Sequence, residues 1–271
     1  MHNNLKKIIS DIVWYIPFKK LRNALREYLY IIASKDSKTD EILNKLEYIR
    51  YVEEAKHQNL FYNLWENSMK ETIDYVNSTS LAINSKWFED KFKMYEYVFE
   101  EYIKNNKYDD KLFLEFGVYT GGTINKFSSL LSEVTFYGFD CFQGLTEDSG
   151  IWNKNDYSTN GNIPEVNKNV SLIIGYFDKT LPSFFETHSG DIKFIHVDSD
   201  TYSAAVDIFK NCENRITQGT IIIFDEYFNY PAWKFNEYKA FQDFCNRNNV
   251  KYKYIAITNH QVAVIIDSIG K

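Results

Sequence analysis

Apolar residues recur along this chain in two rhythms. Up to about residue 105 the spacing is helical: Ile42, Leu46 and Ile49 fall at i, i+4 and i+7 with charged residues between them. The segment WFEDKFKMYEYVFEEYIK continues the stripe through Trp87, Phe88, Phe92, Tyr95 and Phe99. Pro17 suits the first turn of a helix running through Arg22 and Leu29. The polar run SKDSKTD at 34–40 reads as a linker. The pattern predicts a helical region over residues 1–105, serving as a lid, a dimerisation element or a surface contact.

From Lys111 the rhythm shortens. KLFLEF, VTFYGFD, VSLIIG, IKFIHVD and TIIIFDEY are near-continuous apolar runs, with helical stretches expected from Gly121, Thr180, Thr201 and Ala232. Such strands, spaced by helices, imply a parallel sheet covered on both faces. The last two runs, YKYIAIT and QVAVIID, flank the polar turn TNHQ at 258–261 and read as a hairpin. The expected fold is therefore α/β over residues 106–271: a doubly wound, mostly parallel seven-stranded sheet with one antiparallel strand.

Charge is uneven along this frame. The net charge is −6, but residues 1–33 carry +4 and the rest −10. An acidic body argues against a nucleic-acid partner. The basic start fits either a peripheral contact with an anionic membrane surface or a solvated helix face packed on the body or a second subunit. No apolar run approaches the ~20 residues of a membrane span, and no small-residue cleavage site follows the first apolar stretch. Cys141, Cys212 and Cys245 are far apart and form no CxxC pair, as expected of reduced thiols in a cytoplasmic protein.

Two features carry chemistry. The first is LEFGVYTGGT, where Gly117, Gly121 and Gly122 lie between a strand and a helix. Glycines there permit a sharp turn and a close backbone approach to a ligand, beside the free N–H groups of a helix start. The spacing is neither GxGxxG nor a phosphate-binding loop with GK[ST]. Asp140 ends the next strand, about twenty residues on, where an acid accepts hydrogen bonds from ribose hydroxyls. The second feature is a pair of acidic strand ends, HVDSD with Asp198 and Asp200, and FDE with Asp225 and Glu226. Adjacent strands lie about 4.8 Å apart, so carboxylates at their tips either raise a pKa or bind a cation. All-oxygen ligation suits Mg²⁺ or Mn²⁺ rather than zinc. Asp200, two residues past Asp198, is placed to stay off the metal and act as a general base.

LEFGVYTGGT, FYGFDCFQGLTED, GYFDKTLP, HVDSDTYSAA and IIFDEYFNYPAWKFNEYKAF stand in the order found in the macrocin O-methyltransferase family, which this chain resembles over residues 111–267. Its members are class I S-adenosylmethionine-dependent methyltransferases, Rossmann-like in fold and metal-dependent, that act on sugar hydroxyls and are often homo-oligomers through N-terminal helices. The resemblance implies that Glu115, Gly117, Tyr119, Gly121 and Gly122 line the methionine end of the cofactor. It places Asp140 on the ribose and the loop from Phe142 to Gly144 beside the adenine. It makes Asp200 the catalytic base, and Asp198, Asp225 and Glu226 the metal ligands. Where the family has Asp-Asp, this chain has Asp225-Glu226, a longer second ligand. The N-terminal third carries no family motif. Its opening, IVWYIPFKKLRNALREYL, resembles those of bacterial capsule and lipopolysaccharide enzymes, which implies a nucleotide-linked sugar substrate.

Other readings compete. His196, Asp198 and His260 form an H-x-D…H pattern known from iron oxygenases, but that chemistry belongs with β-barrels. A catechol-type or natural-product O-methyltransferase shares the metal logic. A non-catalytic nucleotide-binding module of a surface-glycan assembly would keep the glycines and Asp140 without needing the acidic strand ends. His196 also reads as a core residue, His260 as a turn residue or substrate contact, and Tyr227, Phe228, Tyr230 and Trp233 as core or as a sugar-stacking face.

Overall fold

A computed structural model of the chain describes residues 59–105, 108 and 110–270, with scattered helical positions between residues 7 and 51. Leu46 and Ile49 are helical, whereas Pro17, Ile42 and the 34–40 linker lie outside the described residues. The chain divides into two compact units, residues 1–66 and 67–271. A long helix, α1, spans Leu60–Ser78.

The second unit is built on one eight-stranded sheet. Its strands are β1 (Lys86–Trp87), β2 (Leu112–Phe116), β3 (Phe136–Asp140), β4 (Val170–Ile174), β5 (Ile192–Val197), β6 (Ile216–Phe224), β7 (Lys251–Ile257) and β8 (Val262–Ser268). Their order is β1-β7-β8-β6-β5-β2-β3-β4. β8 runs antiparallel to both β6 and β7, and the other pairings are parallel. The unit's longer helices are α2 (Lys91–Val98), α3 (Gly122–Leu130), α4 (Phe177–Thr187), α5 (Tyr202–Cys212) and α6 (Glu237–Arg247).

Every residue of β2 and β5 is buried, as strands covered on both faces require. Alternation sorts their side chains between two layers. Ile221 and Ile223 of β6 join a core with Phe113, Phe136 and Phe194, closed by Met94, Tyr95 and Val98 of α2 and Phe127 of α3. Phe99, in a π-helical turn after α2, stacks on Phe127 at 5.5 Å and meets Phe194 edge-on at 5.1 Å. Phe224 faces the other way, onto Phe209 of α5 and Phe241 of α6.

Two expectations change. The sheet has an eighth strand, and Trp87 and Phe88 are not helical. Lys86 and Trp87 pair with Ala256 and Ile257 at the sheet edge. The helix starts only at Lys91, where the side chain of Asp90 accepts a hydrogen bond from Lys93 N at 2.9 Å. A side-chain cap fixes where a helix begins more firmly than an apolar stripe does. The segment 91–103, which sequence placed with the N-terminal helical region, packs into the core of this sheet.

Candidate functional site

β2, β3 and β4 build outward in one direction, and β5 and β6 in the other. The order reverses between β2 and β5, and ligands of open α/β sheets bind beyond the strand ends at such a point. Here Gly117 follows β2 and Asp198 follows β5, and Asp198 N donates to Phe116 O at 2.9 Å. Gly117 adopts φ +94, and a Cβ there would lie 1.8 Å from the Asp198 carbonyl oxygen. Only glycine allows this contact. Gly121, at φ +82, is the residue from which α3 starts.

A cavity of about 440 Å³ opens at this end of the sheet. Gly117, Tyr119, Asp140, Asp198, Asp200, Asp225 and Glu226 line it, together with Gly175–Asp178 after β4 and Tyr157 from the β3–β4 connection. Glu115, Gly121, Gly122 and Phe142 do not. Glu115 is held in the sheet opposite His196, its Oε2 3.6 Å from Nδ1 of that ring. Phe142 is buried. The Asp140 carboxylate accepts Val118 N and Tyr119 N at 2.8 Å through one oxygen, and Phe142 N at 2.7 Å through the other. It thereby pins the glycine turn while reaching the cavity.

The acids fall into two groups. Oxygens of Asp198, Asp200 and Glu226 lie within 4.8 Å of one another, and so do ligand atoms of His196, Asp198 and Asp225. Asp225 and Glu226 are consecutive, just past the end of β6 at Phe224, and fall in different groups. Asp225 points back toward α2: Lys91 Nζ donates to both of its oxygens at 3.1 and 3.2 Å, and Tyr95 donates at 2.9 Å. Asp198 belongs to both groups. The set Asp198, Asp200 and Glu226 fits a hard divalent cation, being all-oxygen and including a buried Glu226 Oε2 with no hydrogen-bond partner. Asp200 stands at φ +59, a left-handed conformation that Asp tolerates better than most residues. Glu237 of α6 braces that turn, accepting from Ser199 N at 2.7 Å and Asp200 N at 3.1 Å.

Burial governs the electrostatics. It pushes Asp200 up to about 7, helped by the Asp225 charge and then by Asp156. It also raises Asp198 and Glu226 well above the usual carboxylate range, and Glu237 to about 8. Burial would raise Asp225 too, but the neighbouring His196 and Lys91 hold it well below that range. For His196, burial works against the charged form and is outweighed by Asp225 and Glu115, which bring it to about 10.

A raised carboxyl pKa means that the folded state binds more protons than the unfolded chain between the two values. Stability then falls as pH rises through that window, from the ordinary 3.8 to about 7 for Asp200 and from 4.5 to about 8 for Glu237. His196 acts in the same direction, losing its contribution between 6.5 and about 10. In a metal chelator, Tm is therefore expected to drop by roughly 5 °C between pH 6 and pH 8. Added Mg²⁺, competing with those protons, should raise Tm more at pH 8 than at pH 6. Calorimetry showing a flat or rising Tm in chelator would contradict this account.

Tyr227, Phe228, Tyr230 and Trp233 are buried, and none lines the cavity. His260 sits in the turn before β8, its Nδ1 3.3 Å from Phe228 O, and joins no metal-ligating group among the described residues. Sequence reasoning missed Lys91, Tyr95 and Glu237. Lys91 and Tyr95 are one helical turn apart, but nothing in the sequence links them to an acid 134 and 130 residues away. Among the described residues, no helix is long and apolar enough to cross a membrane.

Comparison with known proteins places this geometry. Residues 114–227 match the model of a methyltransferase-domain family. Among solved structures, the chain is similar to the O-methyltransferase NovP at 19% identity and a TM-score of 0.50, covering 66% of this chain and 79% of that one. It is also similar to CalS11, a calicheamicin methyltransferase, at 15% identity and a TM-score of 0.51, covering 78% and 91%. No curated protein matches the chain. Residues 114–227 are thus similar to a methyltransferase domain, and the fold is that of class I methyltransferases.

Proposed function

We propose that this protein is a metal-dependent O-methyltransferase that moves a methyl group from S-adenosylmethionine to a sugar hydroxyl. One observation carries the reading: Asp198, Asp200 and Glu226 converge in the same cavity as the glycine turn at Gly117. The sugar O-methyltransferase reading draws on the motif resemblance. The structure of NovP, named an O-methyltransferase, supports O-methylation.

In this reading residues 106–271 carry the chemistry. The helical region before them supplies subunit or surface contacts, with its last turns entering the core. Gly117 admits the methionine end of the cofactor against the backbone, and Asp140 faces the ribose. Tyr119 and Tyr157, both exposed and 5.8 Å apart edge-to-face, offer apolar ring faces at the cavity. Asp198 and Glu226 would hold Mg²⁺ or Mn²⁺, with Asp225 beside them and Asp200 left off the ion as the base. When bound, that ion supplies Lewis acidity toward the acceptor hydroxyl. Asp200 takes the hydroxyl proton, a role open to a carboxylate that is not itself bound to the ion. The acceptor oxygen then forms a bond to the methyl carbon as the carbon–sulfur bond breaks, leaving S-adenosylhomocysteine. The acceptor we favour is a nucleotide-linked sugar of capsule or lipopolysaccharide assembly, handled in the cytoplasm or at the inner membrane surface by a homo-oligomer.

The test is a mass-shift assay with purified protein, S-adenosylmethionine, Mg²⁺ or Mn²⁺ and a panel of nucleotide sugars and free glycosides. One added methyl, lost in chelator, is the expected result. Methylation that survives full chelation would remove the metal from the mechanism. Methylation of catechols alone would move the protein to the catechol-type reading.

A further inference from the structure

We infer that Lys91 is a resident counter-cation of the acidic site, one that opposes the divalent cation electrostatically. The inference rests on the metal-dependent reading above.

The position is unusual for a lysine. Lys91 is the first residue of α2, where the helix dipole disfavours a positive charge. Asp225 offsets that placement. The ammonium contacts both carboxylate oxygens at 3.1 and 3.2 Å, and its side chain is about one-third exposed. Tyr95, one turn further along the same face, donates to Asp225 Oδ1 at 2.9 Å. His196 Nε2 lies 3.9 Å from the same oxygen. Asp225 is thus satisfied from the α2 side and stands outside the group of Asp198, Asp200 and Glu226. No described lysine or arginine forms an ion pair with Asp198, Asp200 or Glu226.

Lys91 therefore lowers the negative charge that an entering cation meets and occupies a potential ligand, Asp225. A neutral side chain at this position leaves the carboxylates more anionic and frees Asp225. If Lys91 served only to hold the fold together, its loss would loosen the site and weaken metal binding.

The experiment is titration of the purified full-length chain with Mn²⁺, followed by calorimetry and by the electron-spin resonance of free Mn²⁺. Lys91→Met removes the charge and keeps the stem. Lys91→Gln removes the charge but keeps a hydrogen-bond donor, which guards against a misfolded first variant. Both are expected to bind Mn²⁺ about tenfold more tightly than wild type, the size of effect a like charge exerts across a partly solvated distance. Unchanged or weaker binding in a variant with a native near-ultraviolet spectrum overturns the inference while leaving the metal reading intact. Failure of all three proteins to bind Mn²⁺ overturns the metal reading, and this inference with it.

Discussion

Asp200→Asn is expected to lower kcat on the order of 10²–10⁴-fold at saturating metal and S-adenosylmethionine. The substitution is nearly isosteric, and Asn tolerates the left-handed backbone that Asp200 adopts at φ +59. The Glu237 brace accepts from the backbone N–H of Asp200, so it survives the change. What disappears is the capacity to take a proton. Because burial and the Asp225 charge bring Asp200 to about 7, the apo site holds a base poised near neutrality rather than an ordinary surface carboxylate. Asp200 also neighbours Asp198 and Glu226, so metal affinity must be measured alongside kcat. A fall in kcat that persists with the metal site filled identifies the base. A kcat within tenfold of wild type would transfer the proton to another group.

Gly117→Ala should disable the site by a different route. The added Cβ would lie 1.8 Å from the Asp198 carbonyl oxygen, and the backbone stands at φ +94. Overpacking of this kind costs about 1–3 kcal/mol, and a strained backbone conformation adds roughly as much. The closest contact is with main chain, which cannot rotate aside as a flexible side chain can. The strand ends after β2 and β5 must separate, which displaces the glycine turn and Asp198 together. Equilibrium unfolding should show a loss of about 3 kcal/mol or more, with S-adenosylmethionine and Mn²⁺ binding both impaired. By contrast, a Cβ at Gly122 would meet no atom within 4 Å. Gly122→Ala, inside α3, should therefore leave both ligands binding normally. Equal damage from the two substitutions would show that glycine content, not the contact with Asp198, is what the turn requires.

The strand–helix alternation from Lys111 onward and the acidic strand tips were legible because they are local. Burial on two faces writes a continuous apolar run into the chain, and a carboxylate that ends such a run is conspicuous. The same logic misled at Trp87 and Phe88, where an apolar stripe continued past a helix boundary set by Asp90. The family resemblance, not this logic, put Glu115 among the cofactor residues; it pairs in register with His196 and does not line the cavity. Gly121, Gly122 and Phe142 belong to the glycine turn and the loop after β3 without lining the cavity.

The amino-acid order alone determined that a parallel sheet would form, that Gly117 would turn the chain beyond β2, and that four acids would gather at neighbouring strand ends. The tertiary structure alone decided how those acids divide. Asp225 and Glu226 fall in different groups, and packing of α2 onto the sheet brings Lys91 and Tyr95 to Asp225 from more than a hundred residues away. Contacts between distant segments depend on how helices seat on a finished sheet, and no local pattern of side chains encodes that.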